Sequence, residues 1–132
     1  MSEYHVIESI FKSKKILVKS LEQIGYKPQV HKEASNLYGY MGDKRSQKAH
    51  IIIPRDQVGR ASNDVGFEKI GSKYTMHISE YDQGAHTFKD KELTKVYNEK
   101  VIMNEVNENG EYVFNSRTVD QDGTVRIRLN RI

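Results

Sequence analysis

The chain contains no cysteine and no tryptophan, and it has only two prolines. Without cysteine it has no disulfide framework, no thiolate nucleophile and no cysteine ligand for zinc or an iron–sulfur cluster. Its longest purely apolar runs, such as Ile51-Ile52-Ile53, are far shorter than the roughly 20 residues that a membrane-spanning helix needs. The sequence after Met1 has no basic segment that leads into an apolar one, so no secretory signal is predicted. These absences favour a cytoplasmic protein that has no membrane partner.

Apolar residues make up 36% of the 132 residues and charged residues 30%, with a net charge of +3. This length is typical of one domain and suffices to bury a core without metals or disulfides. No linker, repeat or low-complexity segment divides the chain. The sequence therefore predicts a single domain over residues 1–132, with a thin core and a heavily charged surface.

Two segments have the spacing of a helix. In the first, the apolar residues fall at intervals of three and four: Leu17, Leu21 and Ile24. Ser13 can cap this helix over residues 14–24, and Gly25 stands where a helix of this kind ends. Asp90 can cap a second helix, which the Asn109-Gly110 pair ends.

The β-prone segments are short and bounded by polar turns: 5–11, 27–31, 37–42, 49–53, 64–69, 73–79, 112–119 and 124–129. Residues 43–48 and 55–63 are expected to be loops, and residues 80–86 a turn. Many strands in succession favour antiparallel pairing. The predicted fold class is α+β: a mainly antiparallel sheet, two helices packed on one face and a C-terminal β-hairpin.

Four segments, in order and spacing, carry a family resemblance: Leu21-Glu22-Gln23-Ile24-Gly25-Tyr26; Asp64-Val65-Gly66-Phe67 with Gly71 and Tyr74; Leu93-Thr94-Lys95-Val96-Tyr97; and Asp122-Gly123-Thr124-Val125-Arg126-Ile127. With them the chain resembles the small proteins named for hypothetical chloroplast reading frame thirty-five. Plastids, cyanobacteria, other bacteria and some viruses carry members of that family. The resemblance implies one intracellular α+β domain, and it implies no activity and no catalytic residues.

The sequence offers no catalytic, cofactor-binding or metal-binding residues. The five histidines are scattered, and none has the spacing of a metal-binding helix. No nucleophile elbow or phosphate-binding glycine loop is present. Asp120-Gln121-Asp122-Gly123 lacks the terminal glutamate of a calcium loop and is interpreted as a hairpin turn. A small enzyme is consequently the third of three hypotheses.

Basic residues provide a second hypothesis. Arg126 and Arg128 alternate with apolar residues, so both are expected on one face of their strand, and Arg117 on the neighbouring strand is expected near them. A second basic cluster falls in the predicted 43–48 loop: Lys44, Arg45 and Lys48. Such side chains can bind nucleic acid through its phosphates, largely without regard to sequence. A charged face that meets only water explains them equally well.

A sheet with an uncovered face and two exposed edges provides the leading hypothesis, because such a surface can dock a partner or accept an added strand. Tyr38 and Tyr40, two residues apart on one predicted strand, are possible interface residues, although they could equally stack on bases or pack against a helix. Tyr81 in the predicted turn and Phe88 after it are further possible interface residues. Tyrosine and arginine are the residue types that often anchor protein interfaces. We therefore interpret the chain as a non-enzymatic accessory module that binds another protein or a second copy of itself.

Overall fold

The computed structural model describes residues 3–7, 11–109 and 112–131. The elements in chain order are β1 (Tyr4–Ile7), α1 (Lys14–Gln23), β2 (Gln29–Tyr38), β3 (Lys44–Ile53), α2 (Arg55–Val58), β4 (Val65–Ile70), β5 (Lys73–Ser79), α3 (Glu80–Ala85), α4 (Asp90–Asn109), β6 (Tyr112–Val119) and β7 (Val125–Arg131). Within these ranges no helix combines the length and the apolar character that crossing a membrane requires.

Five strands form one antiparallel sheet in the order β1-β5-β4-β3-β2. The strands β6 and β7 form a separate antiparallel hairpin that contacts α4. The predicted α+β class, the mainly antiparallel sheet and the C-terminal hairpin are thus confirmed. The hairpin between β4 and β5 turns at Gly71, whose φ of +64° is a conformation that glycine adopts without strain.

The helices α1 and α4 pack together on one face of the sheet, as predicted. Ser13 caps α1 by accepting the N–H of Ile16 at 3.2 Å. The hydroxyl of Tyr97 in α4 accepts two further N–H groups, those of Lys12 and Ser13, each at 2.9 Å. A side chain of α4 therefore satisfies backbone donors at the start of α1 and fixes the two helices relative to each other.

The core between the helices and the sheet is rich in aromatic rings. Phe67 of β4 contacts Phe11 edge-on, with ring centroids 5.8 Å apart, and Phe88 at 6.2 Å. Tyr26 stacks on Phe88 at 5.1 Å, and Tyr97 contacts Phe11 edge-on at 4.8 Å. These geometries are favourable for aromatic pairs, and they join α4, strand β4 and the segments on either side of α1 in one cluster.

The opposite face of the sheet holds a smaller core of Leu37, Ala49 and Ile52, against which Tyr4 packs. Leu37 of β2 reaches over Gly66 of β4, although β3 lies between these strands. The sheet is therefore strongly bent. Residues 31–34 of β2 stand opposite a single residue of β3, so β2 carries a large bulge, and bulges increase local twist and bending.

Several sequence-based boundaries were wrong. The predicted loop 43–48 is the first half of β3, and the predicted strands 27–31 and 37–42 are largely one continuous strand, β2. Backbone pairing between β2 and β3 explains the error, since these residues form a strand without an apolar pattern. The short helices α2 and α3 replace the predicted loop 55–63 and turn 80–86. The predicted first strand, 5–11, extends over 8–10, which lie outside the described residues.

The bend leaves no room for a side chain at Gly66. A Cβ there would stand 2.5 Å from the Cβ of Ala49 and 2.8 Å from a methyl group of Leu37. We expect Gly66→Ala to lower the free energy of unfolding by about 1–3 kcal/mol, measured by urea unfolding. The control is Gly84→Ala in α3. A Cβ there meets no atom within 4 Å, so this substitution should raise the free energy of unfolding by about 0.4–1 kcal/mol. Equal changes in the free energy of unfolding for the two substitutions would contradict the close approach of Ala49 and Leu37 to Gly66.

Candidate functional site: an anchored tyrosine turn

Residues 38–43, which connect β2 to β3, form the most exposed group of large side chains in the described part of the chain. We call this segment the tyrosine turn. Tyr38 is 43% exposed, Tyr40 45% and Met41 71%. Exposed apolar side chains are common when single, but three neighbours in one segment form a patch.

The backbone of the tyrosine turn closes on itself. The N–H of Gly39 donates to the carbonyl of Asp43 at 2.8 Å, and the N–H of Gly42 donates to the carbonyl of Gly39 at 2.9 Å. Gly42 has φ +79°, which a residue with a Cβ adopts only at a cost. A Cβ at Gly39 would collide with the carboxylate of Asp43. The shape of the turn therefore requires glycine at position 42, and a side chain at position 39 would have to displace the carboxylate of Asp43.

The carboxylate of Asp64 anchors the first residue of the turn. One of its oxygens, Oδ2, accepts the N–H of Tyr38 at 2.8 Å, and the N–H of Asp64 donates to the carbonyl of Tyr38 at 3.0 Å. The other oxygen accepts the N–H of Arg55 at 2.8 Å. The hydroxyl of Tyr4 donates to the carbonyl of Asp64 at 2.7 Å. One residue thus connects β1, the turn and the start of α2.

Two more side chains hold the exposed part of the turn. The N–H of Tyr40 donates to Oδ1 of Asn63 at 3.0 Å, and the guanidinium of Arg55 donates to the carbonyl of Tyr40 at 2.8 Å. Both backbone groups of Tyr40 are therefore bonded although its ring is exposed. The turn presents its side chains from a backbone that is fixed before any partner arrives.

Asn63 is in turn held by a fully buried carboxylate, that of Asp82 in α3. Oδ2 of Asp82 accepts the N–H of Asn63 at 2.9 Å and the hydroxyl of Ser79 at 2.6 Å. Its Oδ1 accepts the hydroxyl of Thr87 at 2.6 Å, and the side-chain amide of Asn63 donates to the hydroxyl of Ser79 at 2.9 Å. These bonds satisfy a charge that would otherwise be costly to bury.

The pKa values of the two acids shift in opposite directions. Burial raises the pKa of Asp64 above its ordinary value, although two backbone N–H groups act in the other direction. Burial also acts to raise the pKa of Asp82, but hydrogen bonds from hydroxyl and N–H groups to the charged form outweigh it and lower the pKa. Asp82 is consequently held as a carboxylate at neutral pH.

The four predicted interface residues separate into two groups. Tyr38 and Tyr40 are exposed in the tyrosine turn, and Tyr81 is 47% exposed on α3 beside Asp82. Phe88 is only 2% exposed and packs between Tyr26 and Phe67 in the core, so it is no part of this surface. Sequence reasoning missed Met41, which directly follows Tyr40 and was passed over as a strand residue.

Sequence reasoning also missed the buried polar residues below the turn. Ser79 and Asp82 have the spacing of an N-cap and its third helical residue, and Ser79 does cap α3 by accepting the N–H of Asp82 at 3.1 Å. That spacing was the one available signal. Asn63 and Asp64 give no sequence signal of their burial, because polar residues before a strand usually belong to a solvated loop.

The predicted row of arginines does not form as expected. In the hairpin Arg117 is paired with Ile127, so the two residues lie on the same face, and Arg126 and Arg128 lie on the other. Arg117 turns towards α4, where its Nε donates to Glu99 at 2.5 Å. Arg126 is paired with Asp120 at 2.8 Å. The expectation that Arg117 stands beside the other two arginines was therefore wrong.

The second predicted cluster, Lys44, Arg45 and Lys48, lies on β3. Lys44 and Lys48 are exposed, whereas Arg45 is bonded to its surroundings. Its guanidinium lies 3.5 Å from the carboxylate of Asp43 and 5.1 Å from the centre of the Tyr4 ring. Arg45 thus helps to hold the bent sheet together.

Histidines and acids are also dispersed. Within the described ranges no three of these side chains come close enough to hold a metal ion. The one close pair is that of His77 and Glu68, whose Nε2 and Oε1 atoms are 2.8 Å apart on neighbouring strands. A pair of this kind bridges two strands and offers no third ligand.

The low pKa of Asp82 makes part of the stability depend on pH. A carboxylate whose folded-state pKa lies below its unfolded value of about 3.9 stabilises fully above that pH, and this contribution disappears as pH falls through the folded-state pKa. We expect Asp82→Asn to lower the free energy of unfolding by about 2–3 kcal/mol at pH 7, with a smaller deficit below about pH 4.

Urea unfolding at neutral and acidic pH measures this deficit. The control is Glu33→Gln on β2, whose side chain is exposed and which should change stability by less than about 0.5 kcal/mol at each pH. If the loss in the free energy of unfolding stayed constant into the acid range, the folded protein would not favour the ionised form of Asp82.

Comparison with known proteins gives one match. The profile of a family described as "Protein of unknown function (DUF1257)" matches residues 20–128, which include the end of α1, the whole of α4, the strands β2 to β5 and most of the C-terminal hairpin. No match was found among curated proteins or among solved structures. The matched segment contains the whole tyrosine turn together with Asp64 and Asp82, and the chain belongs to this family of proteins of unknown function.

Proposed function

We propose that this protein is a non-enzymatic accessory module that binds another protein through the tyrosine turn. The observation that carries the proposal is the combination of three exposed large side chains with a backbone that is hydrogen-bonded at both polar groups of Tyr38, Gly39 and Tyr40. Tyrosine is enriched among the residues that dominate binding energy, and methionine is enriched at interfaces.

The rigid backbone supports this role energetically. Association costs free energy because loops and side chains lose freedom, and a segment already held in one conformation avoids part of that cost. Asp64, Asn63 and Arg55 hold the turn in this way. An exposed loop that served only to connect β2 to β3 would need none of these bonds.

The partner that fits best presents an apolar groove. Met41 is flexible and projects furthest, so it suits an irregular apolar cavity, while the tyrosine rings can cover its rim with their hydroxyls hydrogen-bonded or solvated. Tyr81 on α3 extends the same chemistry beyond the turn.

A photo-crosslinking residue in place of Met41 tests the proposal in cells of the natural host. We expect a protein adduct of defined mass that is absent when the same residue replaces Lys32, an exposed residue of β2. The adduct should also disappear in the Tyr40→Ala background. An adduct that persists without Tyr40, or that forms equally at Lys32, would contradict a specific interface.

The partner identified from the adduct then allows a direct measurement of affinity. Truncating a residue at the centre of an interface costs about 2 kcal/mol or more, so we expect Tyr40→Ala to raise Kd at least about 30-fold. Arg55→Ala leaves both rings in place but removes a bond to the turn, and it should weaken binding less than Tyr40→Ala does. An adduct with twice the mass of the chain would assign the surface to self-association instead.

The finer family assignment belongs to this proposal as well. The four segments of similarity described above support membership of the small proteins named for hypothetical chloroplast reading frame thirty-five, with relatives in plastids and viruses. A cytoplasmic location is proposed on the same basis. Nucleic-acid binding by the arginine face gains no support, because Arg117 and Arg126 each have a carboxylate partner.

A further inference from the structure

Positive charge gathers on the helix layer, away from the arginines of the hairpin. Residues 12–19 contain four lysines and no acidic residue. Two of them, Lys15 and Lys19, lie four residues apart on α1 and therefore on the same side of the helix. Lys100 on α4 lines the same groove, opposite them.

This lysine groove runs between α1 and α4 and has a volume of about 380 Å³. Besides the three lysines it is lined by Ser13, Ile16, Met103 and Asn104, so no described residue that lines it carries a negative charge. The groove is fixed in shape, because Leu17, Leu21 and Tyr97 pack the two helices together in the core.

A second groove continues the first and shares Ser13 and Ile16 with it. It has a volume of about 560 Å³, and two further lysines, Lys12 and Lys73, line it. Glu105 is the one carboxylate among its lining residues. Five lysines thus line the two connected grooves, against one acid.

None of these lysines forms an ion pair with another described residue. Four ion pairs occur in the described part of the chain, and none of them includes a lysine of the two grooves. Like charges brought together repel one another, and a groove between packed helices concentrates their field. An anion with several charges would relieve this repulsion.

We propose that the lysine groove binds the phosphate backbone of a nucleic acid without reading its bases. Lysine contacts phosphate as a point charge, whereas the bidentate contacts that identify guanine are made most often by arginine. Tyr97, the one aromatic residue that lines either groove, is only 3% exposed and cannot stack on a base. The grooves therefore have the chemistry for phosphate contacts and lack that for sequence recognition.

Fluorescence anisotropy with short labelled nucleic acids tests this proposal, with duplex DNA, single-stranded DNA and single-stranded RNA as separate probes. If three phosphates are contacted, a log–log plot of affinity against salt should have a slope of about −2.7 for the duplex and about −2.1 for single strands. Affinity for the duplex should then fall about 40-fold between about 50 and 200 mM salt. Absence of binding to every probe at low salt would overturn the proposal.

The variant Lys15→Gln/Lys19→Gln/Lys100→Gln removes the charges of the groove and keeps the side-chain length. We expect at least a tenfold loss of affinity at low salt and a slope close to zero. The matched control, Lys32→Gln/Lys48→Gln/Lys69→Gln, removes three exposed lysines of the sheet and should retain most of the affinity and the slope. An equal loss in both variants would show that net charge alone matters and would overturn the proposal.

Competition identifies the chemistry that is recognised. Inorganic polyphosphate should displace the labelled duplex, because it offers the same phosphate charges without bases. Failure of polyphosphate to displace the duplex would show that contacts other than those to phosphate hold it, which would contradict the assignment. Thermal unfolding of each variant confirms that the binding measurements compare folded proteins.

Discussion

Asp64 and Asp82 place two carboxylates inside the protein, and the segments around them are arranged to hydrogen-bond those charges. Their donors are backbone N–H groups and hydroxyls that come from the tyrosine turn, the start of α2, the segment before β4 and the segment after α3. A buried charge without donors is very costly, so each segment is held in the one position that supplies a bond. The shape of the exposed turn is consequently decided from inside the molecule.

The two proposed surfaces lie on different layers. The tyrosine turn ends a strand pair of the sheet, and the lysine groove lies between the helices on the other side of the aromatic core. They also differ in chemistry, because one offers rings and a thioether on a fixed backbone and the other offers ammonium groups that form no ion pair with another described residue. A chain with the two proposed surfaces is suited to bring a protein and a nucleic acid together.

Local signals explain which parts of the fold the sequence predicts. Ser13, Gly25 and Gly71 specify their own backbone conformations, and the helix and the hairpin that depend on them were predicted with nearly correct bounds. Residues 43–48 form a strand because β2 pairs with them, which no property of those six residues indicates. The face on which Arg117 lies depends on hairpin register, and the bonds of Asp82 depend on residues distant in sequence. Interactions of this kind are not visible in local composition.

The position of β1 has a consequence for how the chain folds as it is synthesised. Its pairing partner is β5, with Tyr4 opposite Ser79, so β1 is synthesised before the other four strands of this sheet and is the last of them to find its neighbour. Until then Tyr4 also lacks the carbonyl of Asp64 that its hydroxyl will bond. The hairpins β2–β3 and β4–β5 need only local loops and can form earlier. Docking of β1 therefore completes the sheet, and a nascent chain that ends before β5 begins at residue 73 still has an open edge on β4.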